Sequence, residues 1–193
     1  MNITKLILKN KTIKIIADDN TVVNKQTLES LVKKNSKVLL QNRVSKNENV
    51  AIVLNNSIDF VVSFFSVVNV GVSAPLNPNY TEAEFSFYFK DLNPKIIISN
   101  FEENHPAILC AKKNNVKVIK IENFSFVETF KNRKKTAIKT KTSNTNDIAL
   151  ILHTSGTTSK PKMVPLSHKN LISSAQNIGK TLKLSTKDKN IIL

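Results

Sequence analysis

Apolar residues in this chain fall into two alternating spacings, short continuous runs and longer stretches with a helical repeat. Residues 12–17 read as a short strand. The next stretch, 25–43, places Leu28, Leu31, Val32, Val38 and Leu39 near one face of a helix. A buried strand is predicted at 50–54, then a helix at 58–70 with Asn56 or Ser57 as its N-cap and Gly71 closing it. Thr81 followed by Glu84 forms a capping-box signature for a helix that runs to Leu92, where Asn93-Pro94 stops it. A strand at 95–99, a short helix at 106–114 and a strand at 116–121 follow. Residues 122–146 show the weakest pattern and read as a long connection with an apolar patch at 124–130. The run Ile148-Ala149-Leu150-Ile151-Leu152, bounded by polar residues, reads as another buried strand. Strands that alternate with helices predict an α/β fold of parallel βαβ layers. No internal repeat is evident. After the turn-like Lys187-Asp188-Lys189-Asn190, the apolar Ile191-Ile192-Leu193 starts as a core strand would and the sequence ends, which reads as truncation of a longer protein.

Composition narrows the class. With 193 residues and 40% hydrophobic content, the chain can bury a sizeable core in one domain. The longest apolar stretch, 58–72, is broken by Asp59, Ser63, Ser66 and Asn69 and falls short of the roughly 20 residues needed for a membrane span, so it reads as a buried helix. The first 14 residues alternate lysines with apolar side chains and lack the apolar core of a secretory signal. The single cysteine, Cys110, forms no internal disulfide, is expected in the core, and fits a reducing, cytoplasmic setting. The net charge of +15 raises nucleic acid as a partner. Its distribution argues against that partner: Arg43 and Arg133 are the only arginines, and aromatics are not interleaved with the basic residues. The dense run Lys131-Asn132-Arg133-Lys134-Lys135 reads as a solvated loop.

The candidate chemistry sits just after the strand at 148–152. There His153-Thr154-Ser155-Gly156-Thr157-Thr158-Ser159-Lys160-Pro161-Lys162 gathers hydroxyls, one glycine and two lysines into a single loop, followed by an apolar segment and a helix capped by Ser167. Backbone N–H groups in a tight turn form a concavity for anions, and charge-assisted bonds from lysine strengthen it, so such a loop suits a polyphosphate. A Walker A loop would place a second glycine before the lysine and Ser or Thr after it; Pro161-Lys162-Met163 does not. His105 and His168 read as surface residues. No His, Cys, Asp and Glu spacing suggests a structural metal.

The nine residues Thr154 to Lys162 closely resemble the signature loop of the adenylate-forming (AMP-binding) superfamily, which includes acyl-CoA synthetases, 4-coumarate:CoA ligases, luciferases and nonribosomal adenylation domains. His153 before the loop, Ser159 where most members carry glycine, and Val164-Pro165-Leu166 after it look most like the oxalate:CoA ligase branch. The segments Val50-Ala51-Ile52-Val53-Leu54-Asn55-Asn56-Ser57 and Gly71-Val72-Ser73-Ala74-Pro75-Leu76-Asn77-Pro78-Asn79-Tyr80-Thr81 are similar to the family's earlier regions. The family's later Tyr-Gly-x-Thr-Glu and Thr-Gly-Asp segments, its hinge and its C-terminal lysine have no counterpart, so residues 1–193 resemble an incomplete N-terminal domain.

The resemblance implies an ATP-dependent ligase that activates a small-molecule carboxylic acid as an acyl-adenylate and passes it to coenzyme A. Mg²⁺ would arrive with ATP. Thr154, Ser155, Gly156, Thr157, Thr158 and Lys162 are then the nucleotide-contacting candidates, and no catalytic residue is assigned. Ser159 and Met163, at positions where relatives often carry glycine, distinguish this loop. His153 lies beside the acyl and nucleotide site in the family, and equally reads as a satisfied polar group at a strand end. The resemblance implies that this length alone does not catalyse the reaction. A non-catalytic nucleotide-binding or interaction remnant, and a polyanion-binding basic protein, are the alternatives. Some relatives are peroxisomal, which is the alternative to a cytoplasmic location.

Overall fold

The computed structural model describes residues 2–9, 13–17, 19–127, 143–154, 161–185 and 188. Its elements in chain order are α1 (Ile3–Lys9), β1 (Lys14–Ile16), β2 (Val22–Asn24), α2 (Lys25–Gln41), β3 (Asn49–Val53), α3 (Ile58–Val68), β4 (Val72–Pro75), α4 (Glu82–Leu92), β5 (Ile96–Ser99), α5 (Pro106–Lys113), β6 (Lys117–Glu122), β7 (Ser125–Val127), β8 (Ile148–Thr154), β9 (Lys162–Ser167) and α6 (His168–Thr181). Strands β1 and β2 form an antiparallel pair. The other seven make one sheet in the order β7-β6-β5-β3-β4-β8-β9. Its five central strands are mutually parallel, as the βαβ pattern requires. An antiparallel strand closes each edge.

Alternation along β3 shows why its sequence is apolar throughout. Ala51 and Val53 face one side, with Phe85, Phe89 and Leu92 of α4 and Ala107, Cys110 and Ala111 of α5. Val50 and Ile52 face the other, with Leu39 of α2 and Val67 of α3. A parallel strand covered on both faces gains from apolar side chains at every position. Cys110 is fully buried, as its place on the apolar face of a short helix predicts. Among the described residues, no helix is long and apolar enough to cross a membrane.

The helix starts follow their capping chemistry. The Ser57 side chain accepts from the Phe60 N–H, and Thr81 and Glu84 complete a reciprocal capping box. Asn93 ends α4 in the left-handed conformation at φ 43°. Gly71 differs from expectation. It is not in the left-handed region, and α3 ends on Asn69 in right-handed geometry. What demands glycine is space: a Cβ there would lie 2.8 Å from Val44 Cγ1 and 3.1 Å from the Glu48 carbonyl oxygen. Residues 122–127, read as part of a connection, instead contain a two-residue hairpin turn at Asn123-Phe124, with φ 47° and 64°, leading into β7. The buried Asn35 of α2 holds this turn, donating to the Phe124 carbonyl and accepting the Phe126 N–H at 2.9 Å each. The basic run at 131–135 and the apolar residues 191–193 lie outside the described residues.

Candidate functional site

Strand β8 ends at Thr154, the first residue of the candidate loop. Ala149 and Ile151 are buried, and Ile151 joins the core beneath α4. On its inner side β8 pairs with β4 around Ser73↔Leu150 alone among the described residues. On its outer side β9 runs antiparallel to it through Leu150↔Leu166, Ile151↔Pro165, Leu152↔Val164, His153↔Met163 and Thr154↔Lys162, with a register shift between Ile148 and Leu150. Pro165 is tolerated because β9 is the sheet edge, where a missing N–H breaks no second ladder. The apolar segment after the loop is therefore the return arm of a hairpin.

This places two of the six sequence-derived residues. Thr154 and Lys162 face each other across the last rung of the β8–β9 ladder, and both are exposed. Ser155, Gly156, Thr157 and Thr158 lie outside the described residues, in the segment whose ends Thr154 and Lys162 define. A hydroxyl and an ammonium thus stand at the two feet of one short loop. Because β8 is parallel to β4, this loop leaves the same sheet edge as the segments following β3 and β4. There an open cleft of about 420 Å³ is lined by Asn55, Asn56, Phe60, Pro75, Asn77 and Asn79 among others. The helices after β3 and β4 cover opposite faces of the sheet, and in open α/β sheets such carboxyl-end crevices are where ligands bind.

Of the histidines, His168 and His105 depart from the surface positions expected of them, while His153 matches its reading as a satisfied polar group at a strand end. His153 points toward α4 on the same strand face as Ile151, its side chain only 6% exposed and its Nε2 2.9 Å from Asp91 Oδ2. Its ring meets Tyr88 edge-on at 4.7 Å, and Tyr88 stacks on Tyr80 at 4.8 Å. Burial and a hydrogen bond with Tyr88 push the Tyr80 hydroxyl up to about 12. His168, expected at the surface, is fully buried. It does follow the Ser167 N-cap, but α1 packs against α6 and the Ile3 N–H donates to His168 Nδ1 at 3.3 Å. Burial pushes the His168 pKa down, with the Asp147 charge pulling the other way. His105 is half-buried, stacked on Phe101 at 4.0 Å, and caps α5 by accepting the Ala107 N–H.

Asp147 organises the start of the hairpin. Its carboxylate accepts the Asn144 N–H at 2.8 Å and pairs with Lys46 at 3.1 Å, which together hold it below the usual carboxylate range, the backbone bond contributing most. Its carbonyl accepts the His168 N–H. One short turn therefore fixes both the entry to β8 and the first residue of α6. Nothing local in the sequence signals this role, since Lys46 and His168 are distant along the chain.

A hydroxyl and a lysine at the last rung of a hairpin, on the carboxyl edge of a mainly parallel sheet, complete the mixed α/β architecture that the sequence predicted. Residues 9–193 match the AMP-binding enzyme family, and the chain belongs to it. It is 34% identical over 174 residues to a probable CoA ligase of Humulus lupulus, a match covering 86% of this chain and 33% of that protein. It is 36% identical over 151 residues to the oxalate–CoA ligase of Arabidopsis thaliana, covering 75% of this chain and 29% of that one. The fold superposes on apo MatB from Rhodopseudomonas palustris with a TM-score of 0.79 at 21% identity, covering 96% of this chain and 38% of that structure. The chain thus spans about a third of the length of the curated relatives it matches.

Proposed function

We propose that this chain is the nucleotide-tail-holding part of an ATP-dependent acid:CoA ligase, with residues 1–193 forming a partial N-terminal adenylation domain. The observation that carries this reading is the pairing of Thr154 with Lys162 at the open end of the β8–β9 hairpin. In the proposed reaction a substrate carboxylate oxygen attacks the α-phosphorus of ATP and the bond to the β-phosphate oxygen breaks. Pyrophosphate leaves and an acyl-adenylate forms; the coenzyme A thiol then displaces AMP. Lys162 places a positive charge beside the departing phosphates, and the hydroxyls of Thr154, Ser155, Thr157 and Thr158 donate to their oxygens. Gly156 lets the backbone approach. Mg²⁺ would arrive with ATP and would spread phosphate charge; among the described residues no group of three or more His, Cys, Asp or Glu side chains is placed to hold a metal.

Relatives three times as long support a division of labour in which adenylation needs segments beyond the matched third. On this reading the purified chain binds ATP but does not exchange pyrophosphate into it. Binding of a fluorescent ATP analogue, compared between the wild type and the Thr157→Ala/Thr158→Ala/Lys162→Ala variant, tests the site. Loss of the charged donor and two hydroxyls should weaken binding by about 10- to 100-fold. Equal affinity in the variant, with binding that falls steeply with salt, would instead identify nonspecific attraction to the +15 chain.

A further inference from the structure

We propose that His153 and Asp91 form a positioning pair that fixes the nucleotide loop to the body of the domain, an assignment that rests on the phosphate-holding reading above. The hairpin needs such a tie. Beyond Leu150, β8 has only β9 as a ladder partner among the described residues, and β9 is the sheet edge. The end bearing Thr154 and Lys162 is therefore a two-stranded ribbon, an arrangement only marginally stable in water by itself. Leu152, Thr154, Lys162 and Met163 are all exposed. His153 is the one side chain between Leu152 and Thr154 that turns inward.

What it meets is rigid. Helix α4 begins on a capping box and buries Phe85, Tyr88, Phe89 and Leu92 in the core. Asp91 projects from this helix to His153 Nε2 at 2.9 Å, while Tyr88 supports the ring from its edge. An ionised carboxylate only accepts hydrogen bonds, so Nε2 carries the proton and the ring donates. That nitrogen is committed to Asp91. His153 accordingly acts through the strand, one residue before Thr154, and does not contact the reacting atoms.

Four variants decide the matter: His153→Phe, which keeps a ring against Tyr88 but removes the bond; Asp91→Ala; their combination; and Asp91→Asn, which keeps an acceptor. Dissociation constants for a fluorescent ATP analogue are measured beside thermal midpoints and Lys162→Ala. His153→Phe and Asp91→Ala should each weaken binding about three- to tenfold, the double variant should be no worse than either, and Asp91→Asn should recover most of the loss. Rescue by Asp91→Asn distinguishes a directed bond from general loosening of the fold. Unchanged affinity in His153→Phe and Asp91→Ala, multiplicative losses in the double variant, or no rescue by Asp91→Asn would each overturn the pair. If Lys162→Ala weakens binding while the pair variants do not, only this assignment fails; if Lys162→Ala is also silent, the phosphate reading fails with it.

Discussion

Gly71 offers a calculable perturbation at the root of the sheet. It sits between α3 and β4 with ordinary backbone geometry, so an alanine there is opposed by space alone. The added methyl would lie 2.8 Å from Cγ1 of Val44, which is 2% exposed, 3.1 Å from the Glu48 carbonyl oxygen and 3.3 Å from that of Ser45. Val44 is β-branched and stiff. The Glu48 oxygen accepts the Val72 N–H at 3.0 Å, at the entry to β4. Neither neighbour can yield cheaply. Overpacking of this kind costs about 1–3 kcal/mol, and the reduced entropy of the unfolded chain returns about 0.4–1 kcal/mol. Taken at the middle of each range, the net loss is about 1.3 kcal/mol, a fall of about 3–5 °C in thermal midpoint for a chain of this size. Gly179 is the internal control. It lies within α6 where, among the described residues, an added methyl would meet nothing within 4 Å, so Gly179→Ala should gain about 0.5–1 kcal/mol from helix propensity and raise the midpoint. Thermal unfolding followed by far-ultraviolet circular dichroism reads both. A Gly71→Ala midpoint at or above that of the wild type would refute the steric reasoning.

Because burial lowers the His168 pKa from 6.5, the unfolded chain takes up a proton there before the folded chain does, so stability is full above about pH 7 and declines as pH falls through 6.5, by at most about 1.4 kcal/mol per pH unit. His105, also lowered by burial, adds to the same slope, and His168→Gln should flatten only part of it in urea-denaturation midpoints taken at about pH 5.5 and 7.5; an unchanged slope would exclude His168 as a source. Thr81→Ala removes the cap on α4 and should cost about 1 kcal/mol, with Thr81→Ser retaining most of the stability; equal midpoints for the two variants would show that the box contributes nothing.

The parallel core was legible because its signals are local. Each of β3, β5 and β8 contains a continuous apolar run, and each of α3, α4 and α5 follows a residue whose side chain accepts one of its first N–H groups. Elements that escaped the sequence reading lack that property. In α1, lysines interrupt the apolar residues, and its place depends on packing against α3 and α6. Strands β2 and β7 have three residues each, too few to show a period. The turn before β7 puts Phe124 at positive φ, where a turn signal would call for glycine or asparagine; Asp59 accepting its N–H and Asn35 donating to its carbonyl hold the backbone there. Pro165 masked β9, since proline argues against a strand unless that strand is known to lie at an edge.

The site divides along the same line. The candidate loop is written in consecutive residues, so its nine positions could be read against a family without a fold, and the structure describes Thr154, Pro161 and Lys162 of them. Its orientation is written elsewhere. His153 acquires meaning only when α4 brings Asp91, 62 residues away in sequence, to within 2.9 Å, and His168 only when Ile3, 165 residues away, closes over it. Both histidines face inward and spend a ring nitrogen on the fold, so the chemistry left at the loop's feet is that of Thr154 and Lys162. On the proposed reading, the group that meets the ligand is separate from the group that aims it, and substitution at Asp91 should move nucleotide affinity without touching any atom the nucleotide meets.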